Sequence, residues 1–114
     1  MKKILIVLIA GMLVSSISCK KSIDCTAELL ISFITHTKNP EDHKIVTFNF
    51  DYGGEFNISK IIWDFGDGSS ISNTDTTVTH TYENTGSYTV KVTITLDDAK
   101  RTGCTSTKEH NLTI

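Results

Sequence analysis

Little in this chain is available for chemistry. The four histidines, His36, His43, His80 and His110, fall in separate segments without the His-x-x-x-His spacing of a helical zinc site. Ser69 and Ser70 follow a glycine-bearing stretch, but no Gly-x-Ser-x-Gly elbow surrounds either one. The three cysteines, Cys19, Cys25 and Cys104, lack the close pairing of a zinc module. Basic excess is missing too: eleven Lys and Arg face thirteen Asp and Glu, a formal charge of −2. With no basic stripe and no aromatic-basic cluster, nothing here would hold a phosphate backbone, which argues against nucleic acid as a partner. Proline occurs once, at Pro40, and no helical period appears beyond residue 14. The longest apolar run, residues 4–14, is well short of the roughly 20 residues that span a bilayer.

That short run has a different reading. Lys2 and Lys3 precede it, and the small polar Ser15, Ser16 and Ser18 follow, which is the layout of a secretory signal over residues 1–18. Ser16-Ile17-Ser18-Cys19 resembles the lipobox of a bacterial lipoprotein, with Ser16 where leucine is usual. On this reading Cys19 is lipidated, residues 19–24 form a lipidated N-terminus and short tether, and residues 25–114 form the one domain that the length allows. Several acyl chains would make the anchoring stable where one would be marginal. The alternative is a secreted soluble protein in which Cys19 is incidental. Lipidation at Cys19 leaves Cys25 and Cys104 as a candidate disulfide in an oxidising envelope, the alternative being two separate thiols.

Period-2 patterning supplies the domain. Residues 44–52 put Val46, Phe48, Phe50 and Tyr52 on one face, and Tyr88, Val90, Val92, Ile94 and Leu96 form the cleanest alternation of all. Ile61, Trp63 and Phe65 share the inward face of a strand that ends at Gly66-Asp67-Gly68, two glycines free to take positive φ around an acidic side chain. Residues 26–37 read as a first strand with Ala27, Leu29, Ile31 and Phe33 on one parity and Leu30 and Ile34 on the other, which leaves its register open. The polar residues 68–79 read as one or two edge strands joined by a mobile loop. A charged hairpin loop is expected over residues 98–103, and a last strand over 104–114 with Leu112 and Ile114 inward. Strands at short spacing with glycine-bearing turns indicate an all-β antiparallel sandwich.

Two blocks carry a family resemblance. Trp63-Asp64-Phe65-Gly66-Asp67-Gly68, then His80-Thr81-Tyr82 followed by Gly86-Ser87-Tyr88-Thr89-Val90-Lys91-Val92, resemble the signature of the polycystic-kidney-disease (PKD) domain. The resemblance covers residues 25–114 and is strongest between Trp63 and Leu96. It implies an Ig-like antiparallel β-sandwich and a structural role for the motif residues; with no catalytic constellation in the sequence, neither catalysis nor a cofactor is expected. It also implies a module that contacts proteins or carbohydrate.

The remaining candidates have competing readings. Asp64 and Asp67 offer hard oxygen ligands for calcium, or they bond the amides of their own turn; the spacing lacks the ligand run of an EF-hand loop. Trp63, Tyr82 and Tyr88 could form a sugar platform, but the parity of Trp63 and Tyr88 favours the core. Tyr82 would serve as a corner tyrosine. His80 is expected to pack and hydrogen-bond beside Tyr82, with the other histidines in solvent. The functional expectation is a non-catalytic outer-membrane lipoprotein of a bacterial cell envelope, on its periplasmic or surface face, that meets an envelope protein or glycan. A calcium-stabilised spacer and an accessory subunit of an envelope hydrolase are the alternatives.

Overall fold

The computed structural model of the protein describes residues 23–98 and 101–114. The expected signal, the lipidation of Cys19 and nearly all of the tether lie outside the described residues. A short helix α1 (Cys25–Leu29) is followed by seven strands: β1 (Ser32–Lys38), β2 (Ile45–Tyr52), β3 (Asn57–Asp64), β4 (Ser70–Asn73), β5 (Thr77–Thr81), β6 (Ser87–Asp98) and β7 (Arg101–Thr113). They form two antiparallel sheets, ordered β1-β2-β5 and β4-β3-β6-β7. Facing each other, these make an Ig-like β-sandwich.

Alternation decides which side chains fill the space between the sheets. Val46, Phe48 and Phe50 from β2 meet Ile61 and Trp63 from β3, Phe65 beyond it, and Val90, Val92, Ile94 and Leu96 from β6, all at most 1% exposed. Fully burying each such side chain contributes about 1.5–3 kcal/mol, so this layer is the main source of stability. Phe48 touches both Trp63 and Phe65, at ring-centroid distances of 6.1 and 5.7 Å, and so joins the two sheets.

The N-terminal part departs from the expected strand over residues 26–37. Asp24 caps a helical turn, its carboxylate accepting from the Ala27 amide at 3.2 Å. The i, i+4 spacing of Cys25 and Leu29 puts both on the buried side. The strand begins only at Ser32, and its inward parity is the even one: Ser32 and Ile34 are buried, whereas Phe33 is 62% exposed. A slip of one residue exchanges the faces of a strand. Of the two parities left open by the sequence, the even one is therefore inward from Ser32 on, so that Ile31 and Phe33 point outward and His36 turns in.

That parity explains a second departure. His36 and His110, expected in solvent, are partly buried against each other, with Nδ1 of the first 2.7 Å from Nε2 of the second. The contact lies on the flank where β1 and β7, the outermost strands of the two sheets, face each other. Lys38 donates to the Thr113 carbonyl at 2.5 Å, and Lys108 donates to the carbonyls of Leu29, at 2.9 Å, and Ser32. A disulfide joins Cys25 to Cys104, with Cα atoms 5.8 Å apart.

On the opposite flank β4 and β5 belong to different sheets, so residues 73–77 cross between them. This crossing is tied down, in contrast to the mobile loop expected. Trp63 Nε1 donates to the Asp75 carbonyl at 3.2 Å, the Phe50 amide to the Thr76 carbonyl at 2.7 Å, and the Asp75 amide to Asn73 Oδ1 at 3.0 Å. The expected loop over 98–103 is shorter than anticipated, because β6 continues to Asp98 and β7 starts at Arg101. The strands give the sandwich two distinct ends. Ile23, α1 and the start of β1 lie at one, the entry end. The β3–β4 turn, the β5–β6 connection and Ile114 lie at the other, the turn end.

Candidate functional site

The turn end gathers the residues of both sequence blocks. Gly66 and Gly68 take φ of 82° and 92°, conformations that side chains resist. At Gly66 a Cβ would also sit 2.5 Å from the Thr89 carbonyl oxygen, so this position is closed to larger residues twice over. The two aspartates then satisfy the bend from within. Asp64 Oδ1 accepts from the Gly66 amide and Asp67 Oδ1 from the Ser69 amide, both at 3.0 Å, while the Phe65 amide donates to the Ser69 carbonyl. Asp64 and Asp67 thus spend an oxygen each on their own turn. Among the described residues, no group of three or more His, Cys, Asp or Glu is placed to hold a metal ion.

The second block closes over the first. His80 lies flat on Phe65, with centroids 4.0 Å apart and planes 1° from parallel, and meets Tyr82 edge-on at 4.7 Å. Its Nε2 is 2.7 Å from Asp67 Oδ2, and since a carboxylate only accepts, the ring nitrogen carries the hydrogen. Burial opposes the charge on Asp67, but the bonds from His80 and from the Ser69 amide outweigh it and hold the carboxyl below its ordinary range. Tyr82, 1% exposed, donates its hydroxyl to the Phe65 carbonyl at 2.8 Å and takes the corner role. Burial, then the nearby Asp67, pushes its phenol upward. Tyr88 packs on Tyr82 at 4.4 Å and donates to the Asn84 carbonyl at 2.7 Å. Gly86, at φ 148°, exchanges backbone bonds with Ile114 and completes this end.

Between the two blocks opens a shallow recess of about 350 Å³, lined by Asp67, Ser69, Thr81, Glu83, Asn84 and Tyr88. Its chemistry is that of hydroxyls, an amide and two carboxylates, suited to hydrogen-bond donors and cationic groups. Of the expected site residues, Asp67 and Tyr88 reach this recess, whereas Trp63, Phe65 and Tyr82 are core and Asp64, Gly66, Gly68 and His80 shape the turn behind it. Of the three candidates for a stacking platform, Trp63 and Tyr82 are buried and Tyr88 is half-buried at the recess, while the exposed Phe33 lies at the other end. Ser69, Thr81, Glu83 and Asn84 had no signal of their own. Thr81 lies within the second block and the other three beside one, so that adjacency to Asp67, His80 and Tyr82 was the one pointer in the sequence.

Comparison with known proteins agrees with this geometry. The family model described as "PKD domain" matches residues 30–113. Among solved structures, the crystal structure of the PKD1 domain from the Vibrio cholerae metalloprotease PrtV is similar, with a TM-score of 0.56 and 23% sequence identity. The alignment covers 73% of this chain and 93% of that one; at this identity it shows the fold alone. No curated protein matches the chain.

Proposed function

Because the chain belongs to the PKD domain family, whose members are non-catalytic interaction or spacer modules, we propose that it is a binding module of a bacterial cell envelope. A lipid on Cys19 holds it to the outer membrane, and the turn end is offered to an envelope protein. The observation that carries this reading is the placement of the two ends. The chain enters beside α1, and the polar recess lies at the far end of β6, whose twelve residues span about 40 Å at the rise of a strand. An anchor at the entry end would present the recess away from the membrane. Its carboxylates, Asp67 and Glu83, favour a partner with Lys, Arg or amide groups over a neutral glycan, which would want exposed aromatic faces.

The test has two parts. Mass spectrometry of the chain made in a bacterial host should find diacylglycerol on Cys19, absent from Cys19→Ser. Crosslinking pull-down from envelope extract should retain a partner that the rim variant Glu83→Arg/Asn84→Arg loses. Unlipidated protein in the soluble fraction would overturn the anchor. A partner set unchanged by the rim variant would place binding elsewhere and leave a spacer as the better reading of the turn end.

A further inference from the structure

The entry end carries an apolar tip that the core does not use. Leu30, Ile31 and Phe33 are 77%, 47% and 62% exposed, and they are three of the four large apolar side chains left exposed among the described residues. They are consecutive on the chain but for Ser32, which is buried and bonds its hydroxyl to the Leu29 carbonyl at 2.8 Å. Along β1 the apolar exposure is confined to this spot. Further along the outward face of β1 come Thr35 and Thr37, opposite Asn49 and Thr47 of β2, a polar surface. The tip is also tied to the rest of the sandwich. Ile31 accepts from the Gly53 amide at 3.1 Å, α1 is stapled to β7 by the disulfide, and the Lys108 ammonium sits 5.7 Å from the centre of the Phe33 ring.

We propose that Leu30, Ile31 and Phe33 insert into the interfacial layer of the bilayer that carries the anchor, and so hold the sandwich upright on the membrane. This rests on the lipid-anchor reading. What names the occupant is chain length: from Cys19 to the buried Ile23 is four residues, at most about 14 Å fully extended. A lipid at Cys19 therefore keeps the entry end against the membrane, where exposed apolar side chains gain by burial. The surrounding charges limit the depth. Lys108 lies beside Phe33, while Asp24 caps α1, Glu28 accepts from the Tyr52 hydroxyl at 2.7 Å, and Asp51 stands across from Phe33. With carboxylates around the rim the tip enters by hydrophobic contact, so zwitterionic lipid serves as well as anionic lipid.

The experiment uses the full lipidated chain in vesicles of phosphatidylcholine, with and without phosphatidylglycerol. Phe33→Trp places a reporter at the tip, and Trp63, fully buried, is the built-in reference. Brominated lipid should quench the added tryptophan in both vesicle types and leave the emission of the unsubstituted chain unchanged. In a chain lacking the lipid, Cys19→Ser, the further change Leu30→Ser/Ile31→Ser/Phe33→Ser should lower vesicle partition by at least about tenfold, the equivalent of 1.4 kcal/mol. Absent quenching, in protein whose lipid on Cys19 is verified by mass, overturns the insertion and leaves the anchor standing. Protein with no lipid on Cys19 overturns both. A blue shift that grows with surface density but ignores bromination means that a second copy covers the tip, which also overturns the proposal.

Discussion

At the scale of single residues, the turn end shows how a signature becomes geometry. Gly66 and Gly68 both have positive φ, yet their surroundings differ: a Cβ at Gly66 would press on the Thr89 carbonyl, and at Gly68 it would meet nothing within 4 Å. Gly68→Ala should therefore cost only the conformational penalty of a left-handed alanine, about 1–2 kcal/mol. Gly66→Ala should cost clearly more, because the β3–β4 turn must also move off β6. Urea midpoints of the two variants check the order; equal losses would mean that the approach to Thr89 relaxes freely. The same scale shows where residue type and parity were informative. Trp63, Phe65 and Tyr82 are readable as core because large aromatics at inward positions have nowhere else to go. The recess residues Ser69, Thr81, Glu83 and Asn84 are ordinary loop residues whose convergence depends on two distant turns coming together.

At the scale of elements, the flank between β1 and β7 is the sensitive seam. His36 and His110 share one hydrogen bond, and the charged group that acts on the pair is the cationic Lys38 on β1, while Lys108 on β7 is engaged by the Leu29 and Ser32 carbonyls. Burial, then Lys38 for His36 and then His36 itself for His110, lowers both imidazoles from their ordinary 6.5. Below about 6.5 the unfolded chain binds protons that the folded seam resists. Stability is therefore fully present above that value, falls as the pH drops, and levels off below the folded values. Urea unfolding between about pH 7.5 and 5 should show this decline in the native chain and a flatter profile in His110→Gln, since the pair must then give up fewer protons on folding. An equally steep profile in the variant would assign the decline to other groups. The seam was illegible in the sequence because it depends on which parity of β1 faces inward. Residues 26–37 hold apolar side chains on both parities, and the choice was made by the Asp24 cap, the burial of Cys25 and Leu29 on one helical face, and the restart of the chain at Ser32.

At the scale of the molecule, one covalent link joins the two edges of the domain. Cys25 and Cys104 are 79 residues apart in sequence, so the bridge removes freedom from nearly the whole unfolded chain. In the chain-entropy account a loop of this size is worth about 4 kcal/mol. Reduction, or the paired change Cys25→Ala/Cys104→Ala, should lower the unfolding free energy by about that amount without changing the strand content seen by circular dichroism. A loss below about 1 kcal/mol would mean that α1 and the lysine contacts already hold the seam in the reduced chain.

The amino-acid sequence by itself determined the all-β class, the membership of Trp63, Phe65, Tyr82 and the β2 and β6 alternations in one core, and the turn built on Gly66-Asp67-Gly68. These follow from local rules: strand period, glycine φ, and carboxylates that bond the amides beside them. Tertiary structure alone decided the parity of β1, the meeting of His36 with His110, the exposure of Leu30, Ile31 and Phe33, and the recess at the turn end. Each of those depends on contacts between residues far apart in the chain, and a local pattern that satisfies both faces of a strand equally cannot choose between them.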